Sequence, residues 1–186
     1  VIERHAQPDK FGSAVDGLDG EAFYRAVNRV RPGVNRAGAD EMSYHLHIAL
    51  RYELELALIG GALAVPDLPA AWNERSARLI GVTPASNRDG VLQDTHWSLG
   101  MFGYFPTYTV GSLYAAQLAE TYARDHPFEA ELERGEFAGL LDWLRAKIHA
   151  PGQRHSAEET IRRATGAGLG ADAYFRHLAR RIKTFG

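Results

Sequence analysis

The sequence predicts a mainly helical fold, and three observations predict it. Leu46, Leu50, Leu54 and Leu58 recur every four residues, the spacing of one helix face. Shorter segments with helical period recur along the rest of the chain. No half of the sequence is rich in strand-like alternation, which leaves room for at most a small β hairpin, around residues 30–39 or 85–97.

The elements follow in chain order. Pro8, Gly12, Gly17 and Gly20 punctuate an irregular segment over residues 1–18. Asp19 is placed to cap a short helix carrying Glu21, Phe23, Tyr24 and Val27. Pro32, Gly33 and Gly38 make residues 30–39 a loop or a short extended piece. Asp40 then caps the leucine-row helix, with Glu53 and Glu55 off the row and Gly60-Gly61 as its stop. Pro66-Asp67-Leu68-Pro69 opens a short helix carrying Trp72, Ala77, Leu79 and Ile80. Residues 81–101 hold Pro84, Asn87, Gly90 and Gly100 and show no helical period. A loop that long, rich in aromatics, is the kind that carries function. A second long helix starts at Thr109 and ends near His126-Pro127. Further helices are expected over 137–148, 156–164 and 172–183, the second opened by the capping box Ser156-x-x-Glu159.

Composition narrows the class. At 186 residues the chain is long enough for one sizeable core. Hydrophobic residues at 45%, aromatics at 10% and a net charge of −2 exclude disorder as the main state. No apolar run reaches the roughly 20 residues a membrane span needs. With 21 basic against 23 acidic side chains there is no bulk pull toward nucleic acid. The basic residues of the last helix, Arg176, Arg180, Arg181 and Lys183, read as a solvated face. The absence of cysteine excludes disulfide scaffolds and cysteine-built metal modules and suits a reducing, cytoplasmic compartment. The chain starts Val1-Ile2-Glu3-Arg4, which is expected of a cut or processed piece of a longer protein.

Motif chemistry is sparse. His45-x-His47 sits inside a helix, where residues two apart point away from each other and cannot share an ion. No His-Glu-x-x-His occurs. Asp94-x-His96 offers two ligand types, short of a metal site. Gly166-x-Gly168-x-Gly170 follows a helix rather than a strand and reads as a turn. Two stretches stand apart. Gly90-Val91-Leu92-Gln93-Asp94-Thr95-His96-Trp97 packs four polar groups beside a Trp. Phe102-Gly103-Tyr104-Phe105-Pro106-Thr107-Tyr108-Thr109 runs four aromatics into a helix start. Polar groups that need partners when buried, beside a tyrosine at a helix N-terminus, suit a ligand or oxyanion site.

These stretches resemble the carboxypeptidase Taq family of thermostable metallocarboxypeptidases. The family motif Gly-x-x-Gln-Asp-x-His-Trp is matched at Gly90, Gln93, Asp94, His96 and Trp97. A second motif, Ile-Arg-x-x-Ala-Asp, appears as Asn35-Arg36-Ala37-Gly38-Ala39-Asp40, with Asn35 in place of Ile. The run 102–117 and Leu46-His47 are also similar to family sequence. The resemblance implies that residues 19–186 are the C-terminal helical portion of such an enzyme, one lobe of a two-lobed zincin-like metallopeptidase. Such enzymes release single C-terminal amino acids from peptides and tend to be homodimers. The family's zinc (or cobalt) is held by His-Glu-x-x-His and a later His-Glu-Ser-Gln glutamate, motifs that this sequence does not contain. The copy of a family His-Pro-Phe at His126-Pro127-Phe128 is read as coincidence, a helix stop.

By the resemblance, Arg36 receives the peptide's terminal carboxylate, a task suited to a guanidinium fork. His96 and Tyr108 stand near the scissile carbonyl as catalytic donors to the oxyanion. Gln93, Asp94 and Tyr104 complete the substrate-binding set, Gln93 and Asp94 orienting the loop or His96. No metal ligand is assigned in this chain, which alone is expected to be inactive and to bind no zinc. Arg36 pairing with Asp40, and packing roles for His96 and Tyr108, are the structural alternatives. The functional alternative is a catalytically inactive helical module for peptide binding or assembly.

Overall fold

The computed structural model describes Gly17 and residues 19–185. The irregular segment expected at 1–18 lies outside the described residues, Gly17 apart. Eight α-helices and no strand are found among the described residues. They are α1 (Gly20–Val27), α2 (Tyr44–Ile59), α3 (Leu68–Leu79), α4 (Pro106–Asp125), α5 (Phe128–Arg134), α6 (Ala138–Leu144), α7 (Ala157–Thr165) and α8 (Asp172–Phe185). Short 3-10 turns at Val65–Asp67, Trp97–Leu99 and Gly152–Arg154 link them, and a π turn, Arg145–His149, follows α6. The residues divide into two compact units. One runs from Asn28 to Val110; the other joins the described residues up to Val27 to those from Gly111 onward.

The Asn28–Val110 unit is built on α2 and α3. Leu50 and Leu54 of the leucine row are wholly buried and pack with Trp72 and Ile80. Leu63, Leu68, Val82, Val91 and Trp97 close over them. The row is not uniformly inside: Leu46 is 39% exposed. The buried face extends instead to His47, Arg51 and Glu55, a second four-residue row that brings polar groups inward. Asp40 does not cap α2 itself. Its carboxylate accepts from the amides of Met42, Ser43 and Arg31, so it organises the turn before the helix, which starts at Tyr44. Burial alone would raise its pKa, but these hydrogen bonds hold it below the usual carboxylate range.

The hairpin allowed for at 30–39 or 85–97 is absent. The two stretches meet, but through a side chain. Gln93 Oε1 accepts from the Arg36 amide at 2.9 Å and Gln93 Nε2 donates to the Val34 carbonyl at 3.0 Å. One glutamine thus replaces a ladder, and residues 81–96 remain irregular as the sequence indicates. The helix expected from Thr109 begins at Pro106, where a proline's fixed φ and missing N–H suit the first turn.

In the other unit Asp19 caps α1, its Oδ1 accepting from the Ala22 amide. Ser156 caps α7 as the capping box requires, accepting from the Glu159 amide. Gln117 pins the glycine turn, donating to the Gly168 carbonyl and accepting from the Gly170 amide. Arg176 of the basic last helix makes a two-point pair with Glu120. Two local readings change. Pro127 ends α4 but also starts α5, whose acidic first turn and left-handed Gly135 cap are ordinary helix signals. The helix expected over 137–148 converts to the π turn after Leu144. Wholly buried Tyr122 stacks on His126 and bonds Glu131, so the His126-Pro127-Phe128 copy anchors packing in this unit.

Truncating Leu54 to Ala removes a fully buried side chain from the α2–α3 core. Urea denaturation is expected to show a loss of about 3 kcal/mol; a change under about 1 kcal/mol would contradict the placement of this core.

Candidate substrate site

All six residues singled out in the sequence (Arg36, Gln93, Asp94, His96, Tyr104 and Tyr108) fall within the Asn28–Val110 unit, and contacts link them into one cluster. At its centre is Asp94. Arg36 Nε and Nη2 both donate to Asp94 Oδ1, at 3.1 and 2.7 Å. Arg51 Nε donates to Oδ2 at 2.7 Å, with its Nη2 2.5 Å from the same oxygen. Arg51 is fully buried, while the side chains of Arg36 and Asp94 are each 13% exposed. The alternative pairing of Arg36 with Asp40 is not made.

This arrangement sets the charges. Burial alone would raise the Asp94 pKa, but the Arg36 hydrogen bond and the Arg51 charge hold it below the usual carboxylate range. Burial opposes the Arg36 charge, yet the Asp94 hydrogen bond and charge outweigh it and push its pKa up. Arg51, buried more deeply, is brought down to about 10 and stays charged at neutral pH. Beside them His47 is buried and brought down to about 4, first by burial and then by the Arg51 and Arg36 charges. A neutral imidazole is the form that two adjacent guanidiniums tolerate.

Arg36 is held on several sides. Its Nη1 donates to the Tyr44 hydroxyl at 3.2 Å. Its guanidinium lies 5.2 Å from the Tyr108 ring centroid and 5.7 Å from that of Phe105, within cation–π range. A guanidinium has five N–H groups; Arg36 uses three on Asp94 and Tyr44, and the other two make no hydrogen bond shown among the described residues.

His96 lies in the loop just before the Trp97–Leu99 turn, and Tyr108 in the first turn of α4. His96 Nε2 and the Tyr108 hydroxyl are 3.0 Å apart, a hydrogen bond. His96 Nδ1 is buried without a hydrogen-bond partner among the described residues and lies 4.0 Å from Asp94 Oδ1, beyond hydrogen-bond length. The His96 ring packs against Phe105 at 4.3 Å and Tyr104 at 5.7 Å. Tyr104 also meets Tyr108 edge-on at 5.5 Å and keeps 42% of its surface exposed. Gly103 before it adopts φ +78°, a left-handed turn that costs a residue with a side chain roughly 1–2 kcal/mol. Gln93 spends its amide on Arg36, Val34 and Asp89, which holds the loop rather than presenting a group outward.

Several members of the cluster were not picked out from the sequence: Arg51, Tyr44, Glu55, His47 and His45. The signal was present in the row His47, Arg51, Glu55, offset by one from the leucines. Glu55 accepts from Trp97 Nε1 at 2.8 Å, fixing the end of the Asp94 loop. His45 Nδ1 is 2.9 Å from Thr109 Oγ1, next to Tyr108. Among the described residues no three His, Asp or Glu side chains converge as a metal site would need. The residues in hand therefore do not fit a metal centre.

Comparison with known proteins follows the same lines. A family model described as carboxypeptidase Taq (M32) metallopeptidase matches residues 4–182. The thermostable carboxypeptidase 1 of Thermus thermophilus is 48% identical over 162 residues, covering 87% of this chain and 32% of that protein. Carboxypeptidase 1 of Bacillus subtilis is 45% identical over 148 residues, covering 79% and 30% respectively. The crystal structure of the M32 carboxypeptidase from Deinococcus radiodurans R1 superposes with a TM-score of 0.89 at 37% identity, over 96% of this chain and 37% of that one. The chain spans about a third of the length of the curated relatives it matches.

Because Asp94 joins the buried Arg51 to the half-buried Arg36, Asp94→Asn is expected to cost about 3–5 kcal/mol in unfolding free energy, measured by urea denaturation. A second expectation concerns acid. His47 has a folded pKa near 4, below the ordinary 6.5, so the unfolded chain binds the proton more readily between those values. Stability should fall as pH drops from about 6.5 toward 4, and the depressed Asp94 pKa adds a further loss at lower pH. Proton NMR should show the His47 ring titrating near pH 4; a midpoint above 6 would contradict its burial beside two arginines.

Proposed function

The chain belongs to the carboxypeptidase Taq (M32) metallopeptidase family, and from that premise we propose that it forms part of a zinc-dependent carboxypeptidase releasing single C-terminal amino acids from peptides. It supplies groups that hold the substrate rather than groups that hold the metal. The zinc (or cobalt) that the family resemblance implies is assigned to ligands that the described residues do not include, and this chain by itself is expected to be inactive. The resemblance also supports a homodimer for the whole protein. The absence of cysteine suits the cytoplasm. No helix among the described residues is long and apolar enough to cross a membrane.

The observation that carries the reading is the state of Arg36. A guanidinium locked by Asp94, Tyr44 and two rings, with two donors uncommitted, is preorganised for a carboxylate. Next to it stands the His96–Tyr108 pair. With the proton on His96 Nε2, the imidazole donates to the Tyr108 oxygen and orients the phenol toward an incoming acceptor. An oxyanion forming at the scissile carbonyl is such an acceptor, and a preset donor there stabilises it without reorganisation. Asp94 and Gln93 act as positioning residues: Asp94 aims Arg36, and Gln93 ties the Arg36 and Asp94 loops together. The alternative of an inactive peptide-binding module shares the carboxylate site and differs only in catalysis.

The test is made in the whole protein of which this chain is part. Arg36→Ala is expected to lower kcat/KM on peptides with a free C-terminal carboxylate by ~2–4 kcal/mol. An unchanged kcat/KM would remove Arg36 from the reading. Peptide binding without turnover by the metal-loaded whole protein would favour the inactive module.

A further inference from the structure

We propose that Tyr104 selects the penultimate residue of the peptide, the one whose carbonyl is attacked, in favour of large apolar and aromatic side chains. The proposal rests on the function given above and adds a side-chain preference to it. Tyr104 touches both groups assigned to the scissile carbonyl, the His96 ring at 5.7 Å and the Tyr108 ring at 5.5 Å. It is absent from the surroundings of Arg36, which are Gln93, Asp94, Tyr44, Phe105 and Tyr108. The ring thus flanks the carbonyl end of the site and not the carboxylate end.

Exposure points the same way. Phe105, between the loop and α4, is 1% exposed and serves the core, whereas Tyr104 is 42% and Phe102 43% exposed. Phe102 is stacked on Trp97, with ring centroids 6.1 Å apart and planes 6° from parallel, and Trp97 is fixed by Glu55. The exposed Tyr104 ring, braced by the His96–Tyr108 pair, is a shelf of low conformational entropy. Such a shelf gains by covering an apolar side chain and gains nothing from glycine. The occupant is set by what lies beside it: a peptide whose terminal carboxylate is at Arg36 and whose scissile carbonyl is at Tyr108 places its penultimate side chain next to that carbonyl.

Four N-acetylated dipeptides separate the possibilities, titrated into the metal-free whole protein of which this chain is part and followed by isothermal titration calorimetry. Acetyl-Phe-Ala and acetyl-Gly-Ala vary the penultimate residue; acetyl-Ala-Phe and acetyl-Ala-Gly vary the terminal one. The wild-type protein is expected to prefer acetyl-Phe-Ala over acetyl-Gly-Ala by roughly three- to tenfold, the worth of one aromatic contact. Tyr104→Phe should keep that ratio, and Tyr104→Ala should bring it near unity. Tyr104→Ala should leave the ratio within the second pair as in the wild type, and an unchanged far-ultraviolet circular dichroism melting curve shows that the variant is folded. A preserved Phe-over-Gly ratio in Tyr104→Ala overturns the proposal, as does a collapse of the second ratio instead. The C-terminal amide of acetyl-Phe-Ala separates the underlying reading: acid and amide binding equally would overturn the Arg36 role while the ring preference stood. Failure of all four peptides to bind the wild-type protein overturns both.

Discussion

One carboxylate holds the Asn28–Val110 unit together. Asp94 lies between the guanidiniums of Arg36 and Arg51, and none of the three could sit where it does alone. A buried guanidinium without a partner costs several kcal/mol, and a buried carboxylate without one gives up its charge. Residues 36, 51 and 94 come from a loop, a helix and a second loop, so their pairing is a long-range constraint that fixes both loops against α2. His47 beside them is kept neutral first by its burial and then by the two guanidinium charges.

What the helices do not settle, side chains do. Neither loop has a ladder or helix to satisfy its backbone, and buried polar groups must still find partners. Gln93 bonds three backbone groups, Asp40 organises the turn before α2, and Glu55 takes the Trp97 indole. This explains why the polar residues of the 90–97 stretch sit among large apolar ones. They are the fasteners of an irregular segment, and the aromatic rings are what they are fastened to. A site made in this way holds its geometry without regular structure, which suits a ligand that must be met by groups from several directions.

The legible part of the fold was the part governed by local physics. The leucine row, the Gly60-Gly61 stop, the Asp19 and Ser156 caps and the loop character of 81–96 depend on residues a few positions apart. Gln93, Asp94 and His96 were legible as polar groups crowded beside Trp97, whereas Arg36 was singled out only by the family resemblance. The misses share a different cause. Arg51 and Glu55 look like solvent-facing charges on an amphipathic helix, and only the arrival of Asp94 and Trp97, some 40 positions later, makes them interior residues. The room left for a small hairpin goes unused among the described residues, because side chains, Gln93 to Arg36 and Val34 and Asp94 to Arg36, join the two loops in place of a ladder. Pro127 was read as a stop alone, although the same fixed φ that ends one helix can begin another.

The geometry of Arg36 also limits how a peptide can lie. Its donors all point in the guanidinium plane, while the Tyr108 and Phe105 rings stand 5.2 and 5.7 Å away. Asp94 takes the edge formed by Nε and Nη2, and Tyr44 takes one proton of Nη1. On the proposed reading a carboxylate would approach in that plane, from the side away from Asp94. A lysine at position 36 could match the charge of Arg36 but not this direction, because an ammonium has no plane to stack and no second edge to offer once Asp94 is engaged. Arginine at this position keeps Asp94 ionised, and in the proposed function it is also the fork offered to the ligand. In the proposed function, the side chain that stabilises the fold is also the one that would set the line along which a peptide's last residue meets His96 and Tyr108.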